Sequence, residues 1–216
     1  LSFVRSADDF ADVKRIMDEE GIHIPVIAKI EKPQAVEHLV EIIQAFDGIM
    51  VAPGDLGVEM PLEAVPLVQK RAIELARRYA KPVIVATQVF DSMIHNPRPT
   101  RAEASDCANA ILDGADAVML SGETSVGAYP IEAVRLMASV ICNVEENGGD
   151  RIAPLSTYTH DRAGVLSVSA ARAAEMLDLK FMIAFTQYGK TARTMSRLRS
   201  PIPMLAFPPL ESTRHQ

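Results

Sequence analysis

The sequence predicts an α/β protein whose parallel sheet closes toward a barrel, followed by a small second α/β domain. Strands and helices alternate four times up to about residue 147, and each strand is a short, almost continuously apolar run. Such runs are typical of strands covered by helices. A polar cluster also follows each of the four strands. Four polar strand ends in succession favour a barrel over an open doubly wound sheet, which concentrates its site at one switch point.

The first two strand and helix pairs lie before residue 80. A helix follows Ser6 and ends at Gly21. Two apolar strands come next, HIPVIAKIE and GIMVA, with a helix over residues 34–45 between them. A helix over about 62–79 completes the second pair.

The third and fourth pairs begin with the strand PVIVAT at Pro82. Thr100 and Glu103 form a capping box that opens a helix, and Gly114 follows the end of that helix. The strand AVML and a helix over about 131–147 complete the pattern. No internal sequence repeat is evident.

Composition marks a domain boundary after the fourth pair. Gly, Pro, Ser and Thr accumulate and helical periodicity is lost over residues 148–162, so we expect a linker between a barrel portion, 1–147, and a small domain, 163–216. The small domain is predicted as a helix, the strand FMIAF, a loop, a second helix and the strand PMLAF. Because Leu1 opens the chain inside an apparent strand end, we expect a piece of a longer protein.

The charge balance excludes some function classes. The chain has 22 Lys and Arg against 28 Asp and Glu, a net charge of -6, which offers no basic field for nucleic acid or for an anionic membrane surface. Its apolar runs are far shorter than the roughly 20 residues that span a bilayer.

Cys107 and Cys142 show no paired spacing, so we expect neither a disulfide nor a structural zinc, and we expect a cytoplasmic location.

The first two polar strand ends carry the strongest candidates for chemistry. Lys29 and Glu31 share one face of their strand, which indicates either an interior ion pair or a site. After the second strand, Gly54 and Asp55 follow a proline suited to open a helix, so their N-H groups could hold a carboxylate or phosphate. Asp55 and Glu31 could share Mg²⁺ or Mn²⁺ through oxygen ligands. The alternative, a tight turn capped by Asp55, stays open.

The remaining candidates are weaker. Thr87 ends the third strand and could offer a hydroxyl to a substrate, while Ser121 and Glu123 follow the fourth strand in what could equally be an ordinary turn. In the small domain, the loop 186–191 places hydroxyls, a glycine and a lysine before a helix. That loop is either a phosphate cradle or a simple turn.

The chain closely resembles the pyruvate kinase family. The resemblance is carried, in order and over nearly the whole chain, by the runs IAKIEKPQAVEH, GIMVAPGDLGVEMPLEAVPLVQK, KPVIVATQ and NPRPTRAEASDCANAILDGADAVMLSGETSVGAYP. It implies about the C-terminal half of a (β/α)8 TIM barrel, followed by part of the family's effector-type α/β domain. The implied activity is phosphoryl transfer from phosphoenolpyruvate to ADP, giving pyruvate and ATP, with Mg²⁺ or Mn²⁺ and with K⁺, whose family ligands have no counterpart here.

The resemblance also implies a role for each matching residue. By resemblance, Lys29 is the catalytic lysine, Glu31 and Asp55 are metal ligands, and Gly54, Asp55 and Thr87 bind the substrate. Ser121 and Glu123 would belong to a proton-delivery route, and a phosphorylated effector would bind at Thr186, Gly189, Lys190 and Thr191. A homotetramer is the family's usual assembly.

Two residues depart from the family pattern. Pro53 stands where the family usually has arginine, and Tyr188 stands where its effector loop has a small residue. We expect the isolated chain to have little or no activity, because the first barrel strands are not represented in it. The alternatives are a noncatalytic piece that binds a phosphorylated effector through residues 186–191, and another Mg²⁺-enolate barrel enzyme.

Overall fold

The computed structural model describes residues 1–155 and 162–214, and the chain divides into two compact units. The first unit covers Leu1–Ala153 and the second begins at Pro154. The predicted linker over 148–162 falls partly outside the described residues, and its limits stay a prediction.

Four parallel strands form the sheet of the first unit. They are β1 (Ile27–Ile30), β2 (Gly48–Val51), β3 (Val83–Val85) and β4 (Ala117–Val118), and they lie side by side in chain order. A doubly wound sheet would reverse its strand order at a switch point, whereas a barrel adds strands sequentially. The sequential order therefore fits the predicted barrel portion, and it brings all four carboxyl ends to one edge.

Helices follow each strand, as the sequence predicts. Their bounds are α1 Phe10–Glu20, α2 Pro33–Glu37, α3 Leu39–Ala45, α4 Pro53–Glu59, α5 Val65–Arg78, α6 Arg101–Asp113, α7 Gly122–Ser125 and α8 Pro130–Gly148. The single helix expected over 34–45 is divided at His38, whose φ of -101° and ψ of 24° leave the helical region. Helix α7, a single turn after β4, was not predicted.

The core of the first unit lies between the strands and the helices that cover them. Ile49, Val51 and Val83 of the sheet are buried in one cluster with Ala72 and Ile73 of α5. In β3 the buried residues alternate with the half-buried Ile84. One face of the sheet is thus covered by helices, while side chains at the carboxyl edge stay available for other contacts.

Aspartates at the amino ends of the strands set how neighbouring strands align. The carboxylate of Asp47, just before β2, accepts a hydrogen bond of 2.8 Å from the N-H of Val26, next to β1. In the same way, Asp116 accepts a 2.8 Å bond from the N-H of Val83 at the start of β3. Each aspartate ties its own strand to the preceding one and so helps to fix the register of the pair.

The second unit contains a short parallel sheet. Strands β5 (Met182–Phe185) and β6 (Met204–Phe207) pair in parallel, with helices α9 (Arg162–Met176), α10 (Lys190–Ser196) and α11 (Glu211–Arg214) around them. Ala171, Ala174, Met182, Ala184 and Met195 form its core. These elements agree with the predicted order of helix, strand, helix and strand, and α11 was not predicted.

The two cysteines differ in their surroundings. Cys107 is buried in α6, and burial raises the pKa of its thiol to about 11, while Cys142 is exposed on α8. Both are free thiols. Over the described residues, the helices are all too short or too polar to cross a bilayer.

Glu103 connects the start of α6 to the loop that follows β3. Its carboxylate accepts hydrogen bonds from the backbone N-H and the hydroxyl of Thr100, at 2.6 and 2.8 Å, which completes the predicted capping box. It also accepts bonds of 2.7 and 2.6 Å from the N-H and hydroxyl of Ser92. Burial alone would raise the pKa of Glu103, but the bonds from Ser92 and Thr100 outweigh it and hold the pKa below its usual value of 4.5.

We expect Glu103→Ala to lower the free energy of unfolding at neutral pH by about 1 to 3 kcal/mol, since it removes a helix cap and several charge-assisted bonds. Because the folded-state pKa is depressed, this stabilisation is complete above the unfolded-state pKa and is lost as the pH falls through the folded-state pKa. Chemical denaturation of wild type and Glu103→Ala, from neutral pH to below the folded-state pKa, measures this difference in the free energy of unfolding. Glu132→Ala, on the exposed side of α8, is the control. If the difference in the free energy of unfolding between wild type and Glu103→Ala stays the same in acid, the stabilising role of the Glu103 carboxylate is contradicted.

Candidate functional site

Charged side chains gather where β1 and β2 end. Lys29 lies in β1 and Glu31 follows the strand, so both point to the same side while Ile30 is buried on the other. Asp55 lies in the first turn of α4, directly after β2. Since β1 and β2 are neighbouring parallel strands, the fold brings these three residues together.

Lys29 is the centre of this cluster. Its Nζ lies 2.5 Å from Oε2 of Glu31 and donates to Oδ2 of Asp55 at 2.8 Å. Burial alone would lower the pKa of Lys29, but the hydrogen bonds to Asp55 and Glu31 outweigh it and raise the pKa above its usual value of 10.5. The ammonium group is therefore firmly protonated.

The two carboxylates differ in exposure. The side chain of Glu31 is 5% exposed, whereas that of Asp55 is 45% exposed. Glu31 is held further by the backbone N-H of Phe3, which donates to Oε1 at 2.6 Å. Phe3 has a left-handed φ of 58°, and its ring centroid lies 5.5 Å from Nζ of Lys32. Phe3 was missed in the sequence, where an aromatic residue gives no sign of a left-handed backbone.

Thr87 and Gly54 form a second part of the site. The N-H of Gly54 donates to the hydroxyl oxygen of Thr87 at 3.1 Å, which leaves the hydroxyl proton available to another acceptor. Thr87 and Gln88 both have left-handed backbones, with φ of 67° and 54°, a strained geometry that often marks functional sites. Gln88 was not predicted as a site residue.

A side chain at position 54 would be crowded by Thr87 and Gln88. A Cβ there would lie 2.8 Å from Oε1 of Gln88 and 3.0 Å from Oγ1 of Thr87. The side chain of Gln88 could move aside, but Oγ1 of Thr87 lies on a stiff, branched side chain. Pro53 is the first residue of α4, where its missing N-H costs no hydrogen bond.

A cavity adjoins this second part of the site. It has a volume of 610 Å³ and is lined by Gly54 and Thr87 and by residues of α4, α5 and α6. Lys29, Glu31 and Asp55 do not line it. The cavity therefore lies beside the charged cluster, between the sheet and its helices, and not over it.

Ser121 and Glu123 lie at the end of β4. Glu123 is 2% exposed, and its two oxygens accept the N-H of Ser121 at 2.8 Å and the N-H of Phe90 at 2.9 Å. Its contacts are thus with the loop after β3. The proton-delivery role of Ser121 and Glu123 stays a prediction.

In the second unit, the loop 186–191 joins β5 to α10. Gly189 has a φ of 75°, and Nη2 of Arg193 donates to the carbonyl of Tyr188 at 3.2 Å. Thr186 is buried, while Lys190 and Thr191 are exposed at the start of α10. The loop thus presents a lysine and a hydroxyl to solvent, and its phosphate-binding role stays a prediction.

The charged cluster has ligands of the type that Mg²⁺ prefers. Within residues 1–155 and 162–214, groups of three or more Asp, Glu, His or Cys side chains suited to a metal are absent. Mg²⁺ needs only one or two carboxylates, however, because water and substrate oxygens complete its shell. Asp55 is open to solvent and Glu31 lies across the same ammonium group, so this pair fits a hard divalent cation.

Two family models match the chain. The model described as pyruvate kinase, barrel domain, matches residues 1–134. The model described as pyruvate kinase, alpha/beta domain, matches residues 165–216. Together they agree with the predicted fold class, a barrel portion followed by part of a small α/β domain.

Curated proteins named pyruvate kinase resemble the chain over its whole length. A pyruvate kinase from Mycobacterium tuberculosis is 59% identical over 216 residues, which is all of this chain and 46% of that protein. One from Corynebacterium glutamicum is 58% identical over 216 residues, 45% of its length. One from Thermotoga maritima is 45% identical over 216 residues, 46% of its length. The chain thus spans about half the length of the curated relatives it matches.

We expect Lys29 and Glu31 to be energetically coupled, because removal of Lys29 leaves the buried carboxylate of Glu31 without its cation, while removal of Glu31 leaves Lys29 with Asp55 alone. A double-mutant cycle with Lys29→Met and Glu31→Gln should give a coupling free energy of about 1 to 2 kcal/mol, as measured by chemical denaturation. Lys14→Met, on the exposed face of α1, is the control for loss of a lysine. Additive effects of the two substitutions would show that the contact contributes nothing.

Proposed function

We propose a function for the whole protein from the finding that this chain belongs to the pyruvate kinase family. The whole protein transfers the phosphoryl group of phosphoenolpyruvate to ADP and so forms pyruvate and ATP. The observation that carries the proposal is the Lys29 ammonium held between Glu31 and Asp55 at the carboxyl edge of the sheet. Phosphoryl transfer needs little covalent help from a protein and depends mainly on positioning and charge stabilisation. This edge offers both.

Lys29 is the proposed catalytic residue. Its ammonium group is charged at neutral pH, and its contacts with Glu31 and Asp55 hold Nζ in place. Negative charge on the transferring phosphoryl oxygens and on the enolate oxygen would be stabilised by this fixed positive group. Preorganised charge of this kind is usually the largest contribution to catalysis.

Glu31 and Asp55 are the proposed ligands of Mg²⁺ or Mn²⁺. The ion, when bound, would neutralise phosphoryl and enolate oxygens. Glu31 has a fixed position because the N-H of Phe3 and the ammonium of Lys29 hold its two oxygens. Asp55, which is more exposed, can turn toward the ion.

Gly54, Asp55 and Thr87 are the proposed contacts of the substrate. In the first turn of α4, the N-H groups of Gly54 and Asp55 favour an anionic carboxylate, and the N-H of Gly54 would share its proton between that carboxylate and the hydroxyl oxygen of Thr87. The hydroxyl of Thr87 accepts from Gly54 and still has its proton to donate. A small carboxylate with an adjacent oxygen, such as enolpyruvate, suits this arrangement.

Other features of the proposal rest on the family alone. K⁺ dependence, a homotetrameric assembly and a cytoplasmic location in glycolysis are expected for the whole protein on that basis.

The kinetic test uses the whole protein. We expect ATP and pyruvate to form from phosphoenolpyruvate and ADP, and we expect Glu31→Gln and Lys29→Met each to lower kcat by about 100-fold or more, as for loss of a preorganised charge. Glu37→Gln, exposed in α2, is the matched control and should retain full activity. Absence of transfer by the wild type, or full activity of Glu31→Gln, would overturn the proposal.

The 216-residue chain alone is a separate case. We propose that it has little or no activity, because it represents only part of the barrel. Titration of the chain with Mn²⁺ in the presence and absence of oxalate, an enolpyruvate mimic, shows whether the cluster binds metal on its own. Measurable ATP formation by the purified chain would contradict the proposal.

A second candidate function is phosphate binding by the loop 186–191. The exposed Lys190 and Thr191 beside Gly189 favour it. We expect Lys190→Ala to abolish binding of a sugar phosphate to the chain, whereas Lys29→Ala leaves it intact. Equal binding by both variants, measured by calorimetry, would eliminate this function.

A further inference from the structure

The first unit contains an internal repeat, which corrects the expectation that the sequence has none. The two copies are residues 47–65, DGIMVAPGDLGVEMPLEAV, and residues 116–134, DAVMLSGETSVGAYPIEAV. Both begin with Asp, end with EAV and have a central glycine followed by an acidic residue. The strands before them also match, as PVI at Pro25 and PVI at Pro82. The repeat is hard to see in sequence because the central glycine is displaced by one residue and the intervening helices differ.

Strand pairing shows that the repeat is structural. Ile27 pairs with Gly48 in the first copy, and Ile84 pairs with Ala117 at the matching positions of the second. The aspartates that open the two segments make the same 2.8 Å bond to the N-H of the matching valine in the preceding strand. The pair β1 and β2 and the pair β3 and β4 are therefore two copies of one arrangement.

The repeat relates the charged cluster to the end of the second copy. Three positions correspond, Lys29 with Ala86, Glu31 with Gln88, and Asp55 with Glu123. Asp55 and Glu123 each lie in the first turn of the short helix after their strand. The second copy thus keeps the carboxylate but has alanine in place of the lysine that pairs with it in the first copy.

Glu123 has backbone partners in place of that lysine. In the described part of the chain it makes no ion pair, and its two oxygens accept the N-H groups of Ser121 and Phe90. These bonds join the loop after β4 to the loop after β3. Phe90 is only three residues beyond Thr87, and the two residues Thr87 and Gln88 have strained, left-handed backbones that need support from their surroundings.

We infer that Glu123 is a positioning residue, which fixes the loop after β3 and thereby places the Thr87 hydroxyl against Gly54. The inference rests on the proposed function for the identity of the ligand that Thr87 binds. The role of Glu123 in fixing the loop does not depend on that function. A buried carboxylate with both oxygens on backbone N-H groups is suited to hold two segments together. Glu123 in this role acts through Thr87 and does not contact the substrate.

The test compares Glu123→Gln, Glu123→Asp and the exposed control Glu132→Gln in the whole protein. An amide has one acceptor oxygen, so Glu123→Gln leaves one of the two N-H groups without its partner. We expect amide hydrogen exchange in a peptide covering residues 86–92 to rise by about tenfold or more, the loss expected for one bond to a charged acceptor. Glu123→Asp keeps the charge on a shorter side chain and should give a smaller rise, and Glu132→Gln none.

Kinetics separate a positioning role from proton delivery. We expect Glu123→Gln to raise KM for phosphoenolpyruvate by about tenfold, with the shape of the kcat pH profile unchanged. Its effect on KM should largely vanish in a Thr87→Val background, because both substitutions act on the same hydroxyl. A lower kcat with an altered pH profile and unchanged exchange would instead show proton delivery and overturn the inference.

The amide hydrogen exchange measurement does not depend on catalytic activity. If the wild-type protein transfers no phosphoryl group, the proposed function fails, while the exchange of residues 86–92 still decides whether Glu123 fixes the loop. If Glu123→Gln does not fold, Glu123→Asp provides the same comparison. Exchange equal to wild type in the folded Glu123 variants would overturn the inference.

Discussion

The candidate chemistry of this chain depends on one ammonium group shared by two carboxylates. Glu31 and Asp55 carry like charges at the same strand edge, and the ammonium group of Lys29 lies between them and pairs with both. The positive charge of Lys29 offsets the repulsion between the two carboxylates. The same arrangement of one fixed cation and two oxygen ligands is what a phosphoryl group and a divalent ion require.

The sheet determines that these groups meet. Lys29 and Glu31 come from β1 and Asp55 from the turn after β2, and the two strands are parallel neighbours in register. Asp47 strengthens that register at the opposite end of the strands. Since a shift of one residue would turn Lys29 to the opposite face, interactions far from the site contribute to its geometry.

Much of this was predictable because it depends on local patterns. The shared face of Lys29 and Glu31 follows from the twofold period of a strand, and the capping box of Thr100 and Glu103 is a local signal. The contact of Phe3 with Glu31 and the left-handed backbone at Gln88 were not predictable, because they depend on distant parts of the chain. Glu123 was singled out as an acidic residue after a strand, but its partner Phe90 is visible only in three dimensions.

Anomalous diffraction from crystals of the whole protein grown with Mn²⁺ and oxalate tests the proposed metal site directly. The proposed site predicts a manganese peak at the carboxylate oxygens of Glu31 and Asp55, with Nζ of Lys29 directed at an oxalate oxygen. A peak bound elsewhere, with Lys29 still paired to both carboxylates, would contradict it.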